Sequence, residues 1–213
     1  MCLARDGACI ALMENANQKD HAAWMHPAIQ QLLDQAKYTV HDLNAVAVTA
    51  GPGSYTGLRV GMASAKGLCF ALKIPLITEN TLRVIALAAR QSLNDGIDKQ
   101  HILLCPMIDA RRMEVFTALF NPELQEVVKS CAIELHSNTF SSYLDTHKVF
   151  FSGNGSSKFQ QLTSHHHAMF LQTDYSAAHL AQLSNDKFLG NDFSDIAYTE
   201  PMYLKEFYTP ARK

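Results

Sequence analysis

The chain has 213 residues, 47% of them hydrophobic and 18% charged, which is ordinary for a folded protein long enough to bury a core in one large or two small domains. A formal net charge of −2 excludes capture of nucleic acid by global electrostatics, so any RNA contact must be local or made by a partner. No apolar run reaches the roughly 18 residues that span a bilayer and the start lacks a signal-peptide pattern, so no membrane contact and a cytoplasmic location are expected.

Met1 to Ala4 and Ala8 to Glu14 are short apolar runs separated by Arg5-Asp6-Gly7, and Asp-Gly between such runs predicts a hairpin. After the linker Asn15 to Lys19, Asp20 is placed to cap a helix whose apolar positions Ala23, Ile29, Leu32, Leu33 and Ala36 follow helical spacing, with a kink expected at Pro27. His21 and His26 are five apart, off a common helical face, which argues against a zinc pair. Ala45 to Ala50 is short, apolar and β-branched and reads as a buried strand. It leads into Gly51-Pro52-Gly53-Ser54-Tyr55-Thr56-Gly57-Leu58-Arg59-Val60-Gly61 and then a helix from Leu58 to Lys73.

This glycine-rich corner reads in two ways. Gly51, Gly53, Ser54 and Thr56 suit a phosphate cradle, with backbone amides turned toward an anion at a helix N-terminus, and they equally suit a tight turn. A P-loop is excluded, because Gly57-Leu58-Arg59 stands where Gly-Lys-Ser/Thr is required. In the helix that follows, Gly57, Gly61 and Ala65 fall on one face at a spacing of four, which suits close pairing with another helix and equally suits packing on the chain's own sheet.

Pro75 to Thr78 reads as a strand, with Asn80 capping a helix from Thr81 to Gln91. The polar stretch Ser92 to Gly96 sets the boundary near residues 92 to 100, giving domains 1–95 and 100–213. His101 to Ile108 is a strand, closed by Asp109-Ala110-Arg111-Arg112 and followed by a second, antiparallel strand from Met113 to Phe120. A carboxylate beside two guanidinium groups suits a phosphate or a partner's carboxylate, or a turn held by its own Asp-Arg pair. Lys148 to Ser152 leads into Gly153-Asn154-Gly155-Ser156-Ser157-Lys158, again strand, glycine turn and helix start, a weak anion-site signal. His165-His166-His167 reads as a solvated loop, since three adjacent side chains do not converge on one ion. Tyr175 to Leu189 is a further helix. The five cysteines, Cys2, Cys9, Cys69, Cys105 and Cys131, lie mostly in apolar runs and include no Cys-x-x-Cys pair, which predicts buried thiols in a reducing compartment.

The string Gly51 to Gly61, with Ala63-Ser64-Ala65-Lys66-Gly67-Leu68 after it, resembles the signature of the bacterial TsaB (YeaZ) family. Asp109-Ala110-Arg111 followed by Glu114-Val115-Phe116 is similar to the family's second signature. Glu200-Pro201-Met202-Tyr203-Leu204-Lys205 is similar to its closing Glu-Pro-x-Tyr-Leu-Arg, with Lys205 in the arginine's place. The resemblance implies an α/β fold of the actin, sugar-kinase and Hsp70-like (ASKHA, ribonuclease H-like) superfamily, with duplicated lobes of mixed sheets flanked by helices. Family members open with a further strand ending in Asp-Thr-Ser/Ala-Thr. That segment is not in this sequence, so the expectation is a start at an internal Met, or a strand supplied by another chain.

The resemblance also implies a function: a non-catalytic scaffold or activating subunit of the complex that forms N6-threonylcarbamoyladenosine at adenosine 37 of tRNA. Its partners would be the catalytic paralogue TsaD and the ATPase TsaE, with tRNA reached through the complex and self-pairing when the chain is alone. The partner-binding surface implied is Gly57, Arg59, Val60, Gly61, Ser64, Ala65 and Leu68, with Trp24, Ile29 and Leu32 from the preceding helix. No catalytic residue, metal or cofactor is expected in the isolated chain, and ATP or ADP only within the complex. No His-x-x-x-His or His-Glu-x-x-His occurs, so TsaD's metal-binding pair has no counterpart. The competing readings are an ATP-dependent phosphotransferase using the glycine corner, and a peptidase. Gly53-Ser54-Tyr55-Thr56-Gly57 lacks the Gly-x-Ser-x-Gly spacing of a nucleophile elbow, which argues against the latter.

Overall fold

The computed structural model describes residues 1–15, 21–94 and 101–205. They divide into two compact units, the first made of Met1–Ala88 with Asp174–Pro201 and the second of the described residues between and after these.

In the first unit, β1 (Cys2–Arg5) and β2 (Ala8–Leu12) form the antiparallel hairpin predicted from Asp-Gly. Asp6 and Gly7 both take positive φ, at 50° and 78°, the geometry that a two-residue turn between right-twisted strands requires. Helix α1 (His21–Ala36) contains Pro27; its expected cap, Asp20, falls outside the described residues. Its Leu32 and Leu33 form a small core with Leu3 of β1, with Ile29 and Ala36 packed against them. Strand β3 (Val46–Gly51), helix α2 (Tyr55–Leu72) and strand β4 (Leu76–Asn80) make a β-α-β unit, in which β3 and β4 are parallel. Met62, Ala65 and Cys69 of α2 pack on Leu76, Val46 and Val48. Helix α3 (Thr81–Ser92) follows at once, and Leu82 N donates to Asn80 Oδ1 at 2.9 Å, the cap expected from the sequence.

The second unit holds one five-stranded sheet in the order β7-β6-β5-β8-β9. Its members are β5 (Ile102–Asp109), β6 (Glu114–Phe120), β7 (Glu126–Glu134), β8 (Lys148–Ser152) and β9 (Ala168–Phe170), with the short helices α4 (Ser141–Leu144) and α5 (Ser156–Gln160). β6 runs antiparallel to β5 and β7, whereas β8 runs parallel to β5 and β9. Phe140, Phe151 and Phe159 lie at the centre of its core, with ring centroids 4.9 to 5.3 Å apart.

Helix α6 (Ala177–Leu189) corrects the domain boundary expected from the sequence. It belongs to the first unit, against β1 to β4, so the division is not a single cut between residues 95 and 100. The attachment is polar as well as apolar. Lys187 Nζ donates to Thr78 O at 2.8 Å and lies 3.5 Å from the buried Glu79 carboxylate, which also pairs with Arg83 at 3.0 Å. The thiols also differ from expectation: Cys69 and Cys105 are buried, Cys2 and Cys131 half-buried, and Cys9 on β2 is exposed. Complete burial pushes the Cys105 thiol up to about 12.

Candidate functional site

The glycine corner joins β3 to α2. Ser54 caps α2, its hydroxyl accepting from Gly57 N at 3.5 Å, so one of the helix's unpaired amides is already engaged. Gly51 is buried with φ 125°, a conformation that demands glycine. Gly53 makes no such demand, since an added Cβ would meet only Leu58 at 3.7 Å. Thr56 is exposed, and the Arg59 guanidinium lies 4.2 Å from the centre of the Tyr55 ring, a cation–π contact.

Helix α2 turns its small-residue face inward. An added Cβ on Gly61 would touch Val48 Cγ2 at 3.5 Å, and Ala65 is buried in the core with Met62 and Cys69. Between the two packings that the sequence left open for this face, the chain's own sheet takes it. Gly61 and Ala65 are therefore corrected as surface residues, and so is Leu32, buried on the inner face of α1 against Leu3 with Ile29 packed on that cluster. Gly57, Val60, Ser64, Leu68 and Trp24 are half-buried and Arg59 is exposed. The two helices meet where Ser64 Oγ approaches His26 Nε2 at 3.5 Å.

The outward face of α2 is a different row: Arg59, Ala63, Gly67 and Phe70, all exposed, at spacings of four, four and three. Phe70 is 79% exposed, and an added Cβ on Gly67 would meet nothing within 4 Å. Sequence reasoning passed over Phe70, yet its signal was present: an aromatic out of phase with the buried run Leu58, Met62, Ala65, Cys69.

In the second unit, Asp109 pairs with neither neighbouring guanidinium. Its carboxylate accepts from Lys158 Nζ at 2.8 Å and from Arg111 N at 2.6 Å, and these two bonds hold its pKa below the ordinary value. Arg111 and Arg112 occupy left-handed φ values of 69° and 46° and are exposed. Lys158 also donates to Glu114 O at 3.1 Å, and the Glu114 carboxylate pairs with Lys205. The Asp-Ala-Arg and Glu-Val-Phe stretch and the closing Leu-Lys, far apart in sequence, thus meet in space. A depressed carboxyl pKa stabilises the fold fully above the unfolded value of about 3.9, and this contribution falls away as pH drops through the lower folded midpoint. Replacing Lys158 with Met is expected to raise the Asp109 midpoint in a carbon-13 NMR titration; an unchanged midpoint would assign the depression to the Arg111 amide alone.

The second glycine turn serves packing. An added Cβ on Gly153 would lie 2.4 Å from Met107 O, and one on Gly155 would lie 3.0 Å from Ile108 C and from Val115 Cγ1. These glycines let the β8–α5 turn lie directly on β5, where Gly155 N donates to Met107 O at 3.1 Å. His165 and His166 stack with ring centroids 4.8 Å apart, His167 lies tilted beside them, and its Nδ1 is engaged with Leu144 O at 2.7 Å. Among the described residues no three His, Cys, Asp or Glu side chains are grouped to hold a metal ion, and no helix is long and apolar enough to cross a membrane.

Residues 14–201 match the family model described as TsaD, tRNA N6-adenosine threonylcarbamoyltransferase. The tRNA threonylcarbamoyladenosine biosynthesis protein TsaB of Bacillus subtilis (strain 168) is 35% identical over 131 residues, 60% of this chain and 54% of that protein. The protein of the same name from Escherichia coli (strain K12) is 33% identical over 100 residues, 47% of this chain and 41% of that one. The chain thus spans about half the length of the curated relatives it matches. Among solved structures, YeaZ from Pseudomonas aeruginosa superposes with a TM-score of 0.70 at 21% identity, over 86% of this chain and 85% of that one. A second Pseudomonas aeruginosa structure, titled an uncharacterized protein with similarity to peptidase YEAZ, gives 0.69 over 87% and 84%. At this identity the superpositions establish the ASKHA-like fold.

Proposed function

Because the chain belongs to the TsaD family, and within it to the TsaB (YeaZ) branch of tRNA threonylcarbamoyladenosine biosynthesis proteins, we propose that it is a non-catalytic subunit of the machinery forming N6-threonylcarbamoyladenosine. Its role is to bind and activate the TsaD-type catalytic subunit through the outer faces of α1 and α2, in the cytoplasm, with the TsaE ATPase and tRNA reached through that complex. The observation that carries this reading is Phe70, exposed to 79% beside the bare backbone at Gly67. A helix that presents a small residue and an aromatic to solvent suits docking against another helix at close range, where the aromatic fills a pocket and the glycine lets backbones approach. The phosphotransferase reading lacks comparable support: Ser54 is spent on capping α2, and Arg59, the basic group of the corner, stacks on Tyr55.

Nucleotide titration of the chain alone tests the non-catalytic assignment. Weak or no ATP binding without phosphoryl transfer is expected, whereas tight, Mg-dependent ATP binding with transfer to an acceptor would replace the scaffold role with the phosphotransferase reading.

A further inference from the structure

Among the described residues most arginines are engaged within the chain. Arg5 donates to the Tyr38 hydroxyl, Arg59 stacks on Tyr55, Arg83 pairs with Glu79 at 3.0 Å and Arg90 donates to Pro122 O at 3.2 Å. Arg111 and Arg112 are the exceptions: both are exposed, and among the described residues neither guanidinium meets an acceptor. From this we propose that the Arg111–Arg112 turn between β5 and β6 holds backbone phosphates of tRNA directly, an inference that rests on the chain's place in tRNA threonylcarbamoyladenosine biosynthesis.

The surroundings keep the pair free. The adjacent carboxylate, Asp109, is taken by Lys158 Nζ at 2.8 Å and by Arg111 N at 2.6 Å, and the next one, Glu114, pairs with Lys205. Glu134, in register with Glu114 on β7, is the remaining carboxylate of these strand ends. The lysines thus match the two acids that flank the turn in sequence, and the planar, bidentate donors that fit phosphate oxygens are left at its tip.

The backbone argues the same way. Arg111 and Arg112 take φ 69° and 46° in succession, and Glu114 N donates to Arg111 O at 3.1 Å to close the turn. Glycine or asparagine holds left-handed geometry at less cost than a long side chain does, so the turn itself gives no reason for arginine at either place. Packing gives none, because both side chains are exposed. A chain of net charge −2 has no general attraction for RNA, and a local pair of permanently charged groups supplies what the whole surface does not. Phosphates repeat along a nucleic-acid strand, so two adjacent guanidinium groups both find an acceptor there, whereas a protein partner would have to place two carboxylates to match them.

The test is an amide NMR titration of the full chain with an unmodified tRNA transcript, which needs no catalytic subunit and so stands or falls separately from the scaffold role. Amides of Ala110 to Glu114 are expected to shift saturably, with affinity falling roughly tenfold between about 50 and about 200 mM salt, as two phosphate contacts require. Arg111→Asn combined with Arg112→Gly is expected to weaken tRNA binding by about tenfold at the lower salt while the thermal midpoint holds or rises, since both replacements suit a left-handed turn. Absence of shifts at these amides would overturn the inference, and so would equal shifts from millimolar ADP, which would make the turn a nucleotide site. Unchanged tRNA affinity in the double variant would overturn it too; if that variant instead bound the catalytic subunit more weakly, the arginines would be assigned to carboxylates of that protein.

Discussion

Gly153→Ala is expected to destabilise the second unit by about 3 kcal/mol or more, because it combines a positive φ with a hard backbone contact. At φ 84° an alanine is strained wherever it stands, and here its Cβ would sit 2.4 Å from the Met107 carbonyl oxygen, which belongs to the central strand and cannot swing aside. For a chain of this size the loss corresponds to a fall of roughly 6–12 °C in the thermal midpoint. Calorimetry on the purified variant reads it directly. A shift of less than a degree or two would mean that the turn relaxes away from β5, and with it the account of why glycine stands there.

The other large effect separates fold from partner binding on a single helix. Phe70→Asp removes an exposed aromatic and places a charge in the proposed docking face. By analogy with central aromatic residues of protein interfaces, it is expected to weaken binding to the catalytic paralogue by about 2–4 kcal/mol, some 30- to 1000-fold. Gly67→Leu should act similarly, since its side chain would project into the open space that the proposed role leaves for a partner's backbone. Neither change touches the core, so both variants are expected to melt within about a degree of the parent, as surface substitutions usually do. Gly61→Leu behaves in the opposite way. It must push against Val48, and overpacking of this kind costs about 1–3 kcal/mol, so any loss of pairing would accompany a loss of stability. If Gly61→Leu leaves the melting point intact and abolishes pairing while Gly67→Leu does not, the helix faces have been assigned the wrong way round.

The sequence left this face open between two packings for a physical reason. Gly57, Gly61 and Ala65 at a spacing of four announce a smooth helical face, but smoothness is equally useful against a sheet, and only the position of Val48 decides between them. The hairpin, the β3–α2–β4 unit and the β5–β6 pair were all legible, because apolar periodicity and Asp-Gly or Asn-cap chemistry act over a few residues. Strand β7 was not, since Glu126, Lys129 and Glu134 break up its apolar run at a sheet edge. Nor was the return of α6 to the first unit, which rests on contacts such as Lys187 with Thr78, over a hundred residues apart. At Asp109 the neighbouring arginines drew attention while the partner that matters, Lys158, lies 49 residues away. Local chemistry named the groups; the sheet chose their partners.

Equilibrium binding to the TsaD-type transferase of the same organism tests the proposed role as a binding subunit rather than a catalyst. Isothermal titration of the full chain into that protein is expected to show a saturable complex, lost in Phe70→Asp, with tRNA threonylcarbamoyl transfer in the mixture and none from the chain alone. Absence of any complex, or transfer by the chain by itself, would contradict the account.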